Sequence, residues 1–96
     1  MKTRGSIRAR IRAGAAFLDS FFGSRSRWRR KIDLETLALE NGEACVLGQV
    51  DGDFHNHEES FGLTDIACDA LGFSTTYRKY PELTKEWKAY LRGGWA

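Results

Sequence analysis

CVLGQV, residues 45–50, is the stretch on which the fold class turns. A short apolar run reads equally well as a buried strand or a buried helix. Two features favour helix. Glu43 stands just before the run, where a carboxylate suits the positive end of a helix dipole. No second clear strand is available to pair with it. Gly48 weighs the other way, because glycine weakens a helix interior. Reading 43–50 as a buried helix makes the chain all-α, a compact single domain of about four or five helices over residues 1–96, with 1–5 frayed.

The segments on either side fit that class. Ahead of it, Ser6 is a good N-cap for a helix running to about Phe22. Ile7, Ile11, Ala15, Leu18 and Phe22 recur at helical spacing, and Phe17 and Phe21 also read as core. Arg4, Arg8 and Arg12 form a cationic stripe. Gly14 weakens the middle of this helix and allows close packing, while Gly23 is placed to stop it. Residues 24–31, SRSRWRRK, form a cationic connector. Residues 33–37 read as a short helix capped by Asp33, with Ile32, Leu34 and Leu37 inward, broken by Asn41-Gly42. Behind the central run, 51–60 reads as a loop. Residues 62–71 read as a helix with Leu63, Ile66, Ala67, Ala70 and Leu71 inward, started near Thr64 or Asp65. Gly72 stops it and Phe73 folds back onto its last turn. Pro81 opens a final amphipathic helix carrying Leu83, Trp87, Tyr90 and Leu91, ended by Gly93-Gly94.

Ninety-six residues, 42% of them hydrophobic, with three Trp, three Tyr and six Phe, suffice for one small core. The net charge of +2 conceals a segregation. Residues 1–31 hold ten Lys or Arg and one acid, Asp19; residues 32–72 hold ten acids and no Lys or Arg; residues 73–96 hold five bases and two acids. The basic and acidic regions either face each other, lie solvated on separate faces, or serve partners. No run approaches the ~20 apolar residues of a membrane span. Met1 to Leu18 has a transit-peptide-like composition, but it leads straight into apolar helix positions and reads as a cationic first helix.

The chemistry-bearing residues cluster after the central run, in DGDFHNHEE, residues 51–59. Zinc would use Cys45, His55, His57 and Cys68, yet neither cysteine has a second ligand two to four residues away. A calcium loop fails because Asn56 stands where the turn needs Gly, and Gly62 where the last ligand belongs. Cys45 and Cys68 both sit in apolar contexts and read as reduced core thiols rather than nucleophiles. No phosphate-cradling glycine loop is present. The sequence therefore implies no enzyme, no cofactor and no metal site.

Two binding surfaces remain. Asp51, Asp53, Glu58 and Glu59 with Phe54 and Phe61 combine charge and aromatic anchors for a protein partner, unless the two Phe pin the loop to the core. Arg8, Arg12, Arg25, Arg27, Arg29, Arg30 and Lys31 with Trp28 could instead contact nucleic acid, Trp28 serving as a stacking platform unless it anchors the connector to the core. No known nucleic-acid recognition unit is legible.

The residues Arg12-Ala13-Gly14-Ala15-Ala16-Phe17-Leu18-Asp19, Trp28, Ile32-Asp33-Leu34-Glu35-Thr36-Leu37, Cys45-Val46-Leu47-Gly48-Gln49-Val50, Ala70-Leu71-Gly72-Phe73 and Leu83-Thr84-Lys85-Glu86-Trp87 together resemble small proteins of actinobacterial phages with an RAGAxxLD, W, IDLxxL, CVLGQ, LGF, LTxxW layout. CVLGQ is the most specific part, and residues 53–60 depart from the pattern. The resemblance implies a phage or prophage accessory protein in the cytoplasm of a bacterial host, and it brings no catalytic residues. The expected partner is a host or phage protein bound through the acidic aromatic loop, with nucleic acid as the alternative and no membrane. Complementary charge would allow a homodimer.

Overall fold

Helix formation begins where Ser6 offers its hydroxyl to the Ala9 amide, at 3.1 Å. From there α1 runs Ile7–Phe22 and ends at Gly23, whose φ of +95° only glycine adopts freely. The computed structural model describes residues 6–23, 27–51, 57–93 and 95. Among them the chain is all-α, with no strand: α1, α2 (Val46–Val50), α3 (His57–Phe61), α4 (Asp65–Ala70) and α5 (Tyr80–Leu91), plus two 3-10 turns, Trp28–Lys31 and Tyr77–Lys79. The radius of gyration, 12.3 Å, equals what a single compact domain of this length requires, about 12.5 Å. The expectation of frayed residues 1–5 falls outside the described residues.

One apolar cluster holds these elements together. α1 contributes Ile11, Ala15 and Leu18; α2 contributes Val46, Leu47 and Val50; α5 contributes Leu83 and Trp87. The stretch 45–50 is thus a helix in the interior, as the absence of a partner strand required. Its start differs from expectation. Cys45, not Glu43, is the N-cap: its sulfur accepts from the Gly48 amide at 3.3 Å and its thiol donates to the Gly42 carbonyl at 3.5 Å. Asn41 holds 41–44 out of the helix, because its side-chain oxygen accepts from the amides of Glu43 and Ala44.

Close backbone approach explains two glycines. A β-carbon on Gly14 would fall on the Leu71 carbonyl oxygen, and one on Gly48 would fall on the Gly42 carbonyl oxygen. The first contact is where α1 crosses the end of α4. There Gly72, at φ +75°, ends α4; its amide donates to the Asp69 carbonyl and the Phe73 amide donates to the Cys68 carbonyl, at 3.2 and 2.9 Å. That pair of bonds is the Schellman stop anticipated from Gly72-Phe73. The Trp87 indole then donates to the Gly72 carbonyl at 2.6 Å, locking α5 onto the same crossing.

Several expectations are corrected. Residues 33–37 form a turn rather than a helix. Asp33 accepts from the Glu35 amide at 3.0 Å, and the Gln49 side chain accepts from the Asp33 amide and donates to the Ala44 carbonyl, so local side-chain bonds replace helical ones. Ile32 and Leu37 still point inward. Residues 57–60 of the expected 51–60 loop belong to α3, which runs to Phe61, whereas 52–56 lie outside the described residues. α4 begins at Asp65, capped by Thr64, so Leu63 precedes it and does not share its phase. Its inward residues are Ala67, Cys68 and Leu71, while Ile66 is 83% exposed and Ala70 is exposed. Phe21 and Phe22, read as core, are 48% and 38% exposed because the last turn of α1 runs past the interior. No helix among the described residues is long and apolar enough to cross a membrane.

Candidate nucleic-acid interface

The inner face of α1 is spent on the core, so its outer face carries the arginines. Arg8 and Arg12 lie one turn apart and are both exposed. Each guanidinium sits over the ring of Trp95, with Cζ 4.8 and 5.1 Å from its centroid. Gly93, at φ +75°, redirects the chain after α5. The Trp95 indole donates to Glu86 Oε1 at 3.1 Å, and Arg8 Nε donates to the same oxygen at 3.2 Å.

The contacts continue along this face. Trp95 packs on Tyr90 with centroids 5.0 Å apart, and the Tyr90 hydroxyl accepts from Arg29 at 3.3 Å. Arg29 donates to Asp19 through both terminal nitrogens, at 2.8 and 3.4 Å, and lies 4.5 Å over the Trp28 ring. These bonds hold the Asp19 carboxyl below its ordinary range, the Arg29 hydrogen bond outweighing partial burial and the Trp28 indole assisting. The same partner raises Arg29 further. Arg27, Arg30 and Lys31 stand exposed beside Arg29, with no ion-pair partner among the described residues. Arg8 and Arg12 thus share the Trp95 ring, and Tyr90 links that ring to Arg29 through its hydroxyl, so the three arginines and two rings form one connected cluster.

Of the residues expected to touch nucleic acid, Arg8, Arg12 and Arg29 join this cluster and Arg27, Arg30 and Lys31 flank it, while Arg25 lies outside the described residues. Of the two roles open to Trp28 the structure shows the anchoring one: it is 2% exposed and its indole donates to Asp19 at 2.9 Å, so it fixes the connector to the core and offers no ring for stacking a base. Trp95 was missed. It follows the helix stop at Gly93, and its contacts with Arg8 and Arg12 bring it onto α1. An aromatic residue shortly beyond a Gly-Gly pair was the available signal.

The acidic set is divided. Asp53 and Phe54 lie outside the described residues. Glu58 and Glu59 are exposed in the first turn of α3, and Asp51 is half-buried after α2. Phe61, read either as an anchor for a partner or as a pin to the core, is 7% exposed and packs 4.9 Å from Phe21 and 6.4 Å from Phe17, so it is the pin. The surface aromatics there are Phe21 and Phe22. Charge segregation is partly resolved within the chain: Arg10 pairs with Asp69 at 3.1 Å, joining the basic first helix to the acidic centre.

Cys45 and Cys68 are both buried, free thiols. Burial pushes both up, Cys68 to about 11 with nearby Asp65 contributing, so neither is a ready nucleophile at neutral pH. The zinc combination includes His55 and the His57 side chain, which lie outside the described residues. Among the described residues no three His, Cys, Asp or Glu side chains gather as a metal ion needs. No protein-family model, curated protein or solved structure matches the chain.

Proposed function

We propose that this chain is a non-enzymatic accessory protein of a bacteriophage, acting inside a bacterial host by binding nucleic acid through the outer face of α1, the 24–31 connector and α5. The observation that carries the reading is the seating of Arg8 and Arg12 together over the Trp95 ring, with Tyr90 packed on that ring and its hydroxyl accepting from Arg29. Guanidiniums present several donors in a planar fork that suits phosphate, and stacking of Arg8 and Arg12 on a ring leaves their edges open to it, whereas the Arg29 fork is engaged by Asp19 and Tyr90. The resemblance to small phage proteins supports the setting. Most residues of that layout hold the fold together here: Asp19 with Trp28, Asp33 with Gln49, Gly14 with Leu71, and Trp87 with Gly72.

Titration of labelled duplex DNA, single-stranded DNA and RNA across a salt series tests the reading. The expected result is an affinity whose logarithm falls linearly with the logarithm of salt, with the slope reduced when Arg27, Arg30 and Lys31 are neutralised together. No binding at 50 mM salt removes it.

A second reading, a host or phage protein as partner, is favoured by the exposure of Phe21 and Phe22. These rings lie over Phe61 at the end of α3, which carries Glu58 and Glu59, so the patch combines apolar anchors with acids. Capture of a host protein by the wild type and not by Phe21→Ser/Phe22→Ser would support it.

A further inference from the structure

We infer that Trp95 is a positioning residue that holds Arg8 and Arg12 as a paired fork for two neighbouring phosphates of one nucleic-acid strand. The inference rests on the nucleic-acid reading above. It concerns how the strand is held, and it assigns a role to a residue that no feature of the basic segments points to.

Arg8 and Arg12 lie four residues apart on a continuous helix, so their β-carbons are about 5–6 Å apart. Phosphates repeat along each strand of duplex DNA every ~3.4 Å of helix axis, and farther apart along the backbone itself. Both guanidiniums lie within 5.1 Å of one ring centroid, so the pair is held close enough to reach two neighbouring phosphates of one strand. Free arginine side chains are flexible, and ordering them on binding costs affinity. Here the cost is reduced in advance. One indole ring faces both guanidiniums, at 4.8 and 5.1 Å. The ring is itself fixed by its hydrogen bond to Glu86 and by Tyr90 at its side. Arg8 gives only its Nε to Glu86, and among the described residues its terminal nitrogens donate to no other group, so they can reach a phosphate.

Glu86 is the opposing charge at this site. Its Oε1 receives both Trp95 and Arg8, which fixes the geometry while weakening the local attraction for an anion. The arrangement thus selects for a partner that brings several phosphates together rather than a single small anion. Trp95 has guanidiniums over it and Tyr90 against it, so the arrangement orders arginines and is not a bare platform for a base. Binding through this fork is accordingly independent of base sequence.

The test is fluorescence-anisotropy titration of a labelled 20-base-pair duplex from 50 to 200 mM salt, with circular dichroism confirming the helical content of every variant. Trp95→Ala is expected to weaken binding about fivefold at 100 mM salt while nearly preserving the salt slope, since the charges stay but lose their preset geometry. Trp95→Phe, which keeps an aromatic face, is expected to recover most of that loss. Arg8→Gln/Arg12→Gln is expected to flatten the slope by about 1.8, the value for two phosphate contacts. Glu86→Gln is expected to tighten binding about threefold. A wild-type protein that binds the duplex in a salt-dependent way, with Trp95→Ala and Arg8→Gln/Arg12→Gln indistinguishable from it, overturns the fork and leaves the nucleic-acid reading standing. A wild-type protein that does not bind at all overturns both. Competition by poly-glutamate of matched charge as strong as that of unlabelled duplex overturns the phosphate assignment in favour of an acidic protein.

Discussion

Helix α1 meets different neighbours on its two sides. On the inner side its backbone touches the end of α4 at Gly14, and the Trp87 indole closes the crossing on Gly72. On the outer side the long side chains of Arg8 and Arg12 lie over Trp95, which Tyr90 backs. The inner contact has no room for one added carbon. The outer one is made of long side chains held on a ring, with donors to spare. Where packing leaves no space, sequence is constrained by fold; where it leaves polar edges facing water, sequence is free to serve a partner.

The comparison breaks most readily at Gly14. Helix propensity alone favours Gly14→Ala by about 1 kcal/mol. The added β-carbon would meet the Leu71 carbonyl, so we expect a net loss of about 3 kcal/mol in urea unfolding. A raised midpoint would show that the crossing is looser than described. Trp87→Phe should cost about 2 kcal/mol in the same assay, because the Gly72 carbonyl loses its donor in the interior and a small cavity opens. An unchanged midpoint would mean that the indole bond contributes nothing.

A third effect is read by pH. Both thiols are raised in the folded chain, Cys68 from 9.0 to about 11, chiefly by burial. Stability from them is intact below the unfolded thiol value and is lost as pH climbs toward the folded one. Thermal melts should therefore move down between about pH 9 and 11. Cys68→Ala should flatten that decline, and an equally steep decline in this variant would point to other groups. The smallest expected effect lies on the outer side: Trp95→Ala should lower stability by less than about 1 kcal/mol while weakening DNA binding. A larger loss of stability would make Trp95 part of the inner architecture and erase the contrast.

Much of the inner side was legible from the chain. Ser6, Gly23, Thr64, Gly72 and Pro81 carry capping and stopping signals with direct physical causes, and each lies at or beside a helix boundary. The segment 33–37 misled because five residues with one good cap resemble a helix start. The deciding bond comes from Gln49, sixteen residues away, and no local pattern reveals it. Ile66 and Ala70 misled through a phase error: Leu63 lies before α4, so counting from it rotates the apolar stripe outward. The outer side was half legible. Arginines recurring every four residues announced a charged stripe, but that Trp95 rather than Trp28 shares its face depends on a turn after α5.

The hydroxyl of Thr84 in α5 accepts from the amide of Leu39, forty-five residues earlier, at 3.0 Å. That single bond gives the molecule an internal clock. A proton at Leu39 is shielded while that bond holds, so its exchange rate in deuterium reports how often the contact between α5 and the irregular segment before α2 opens.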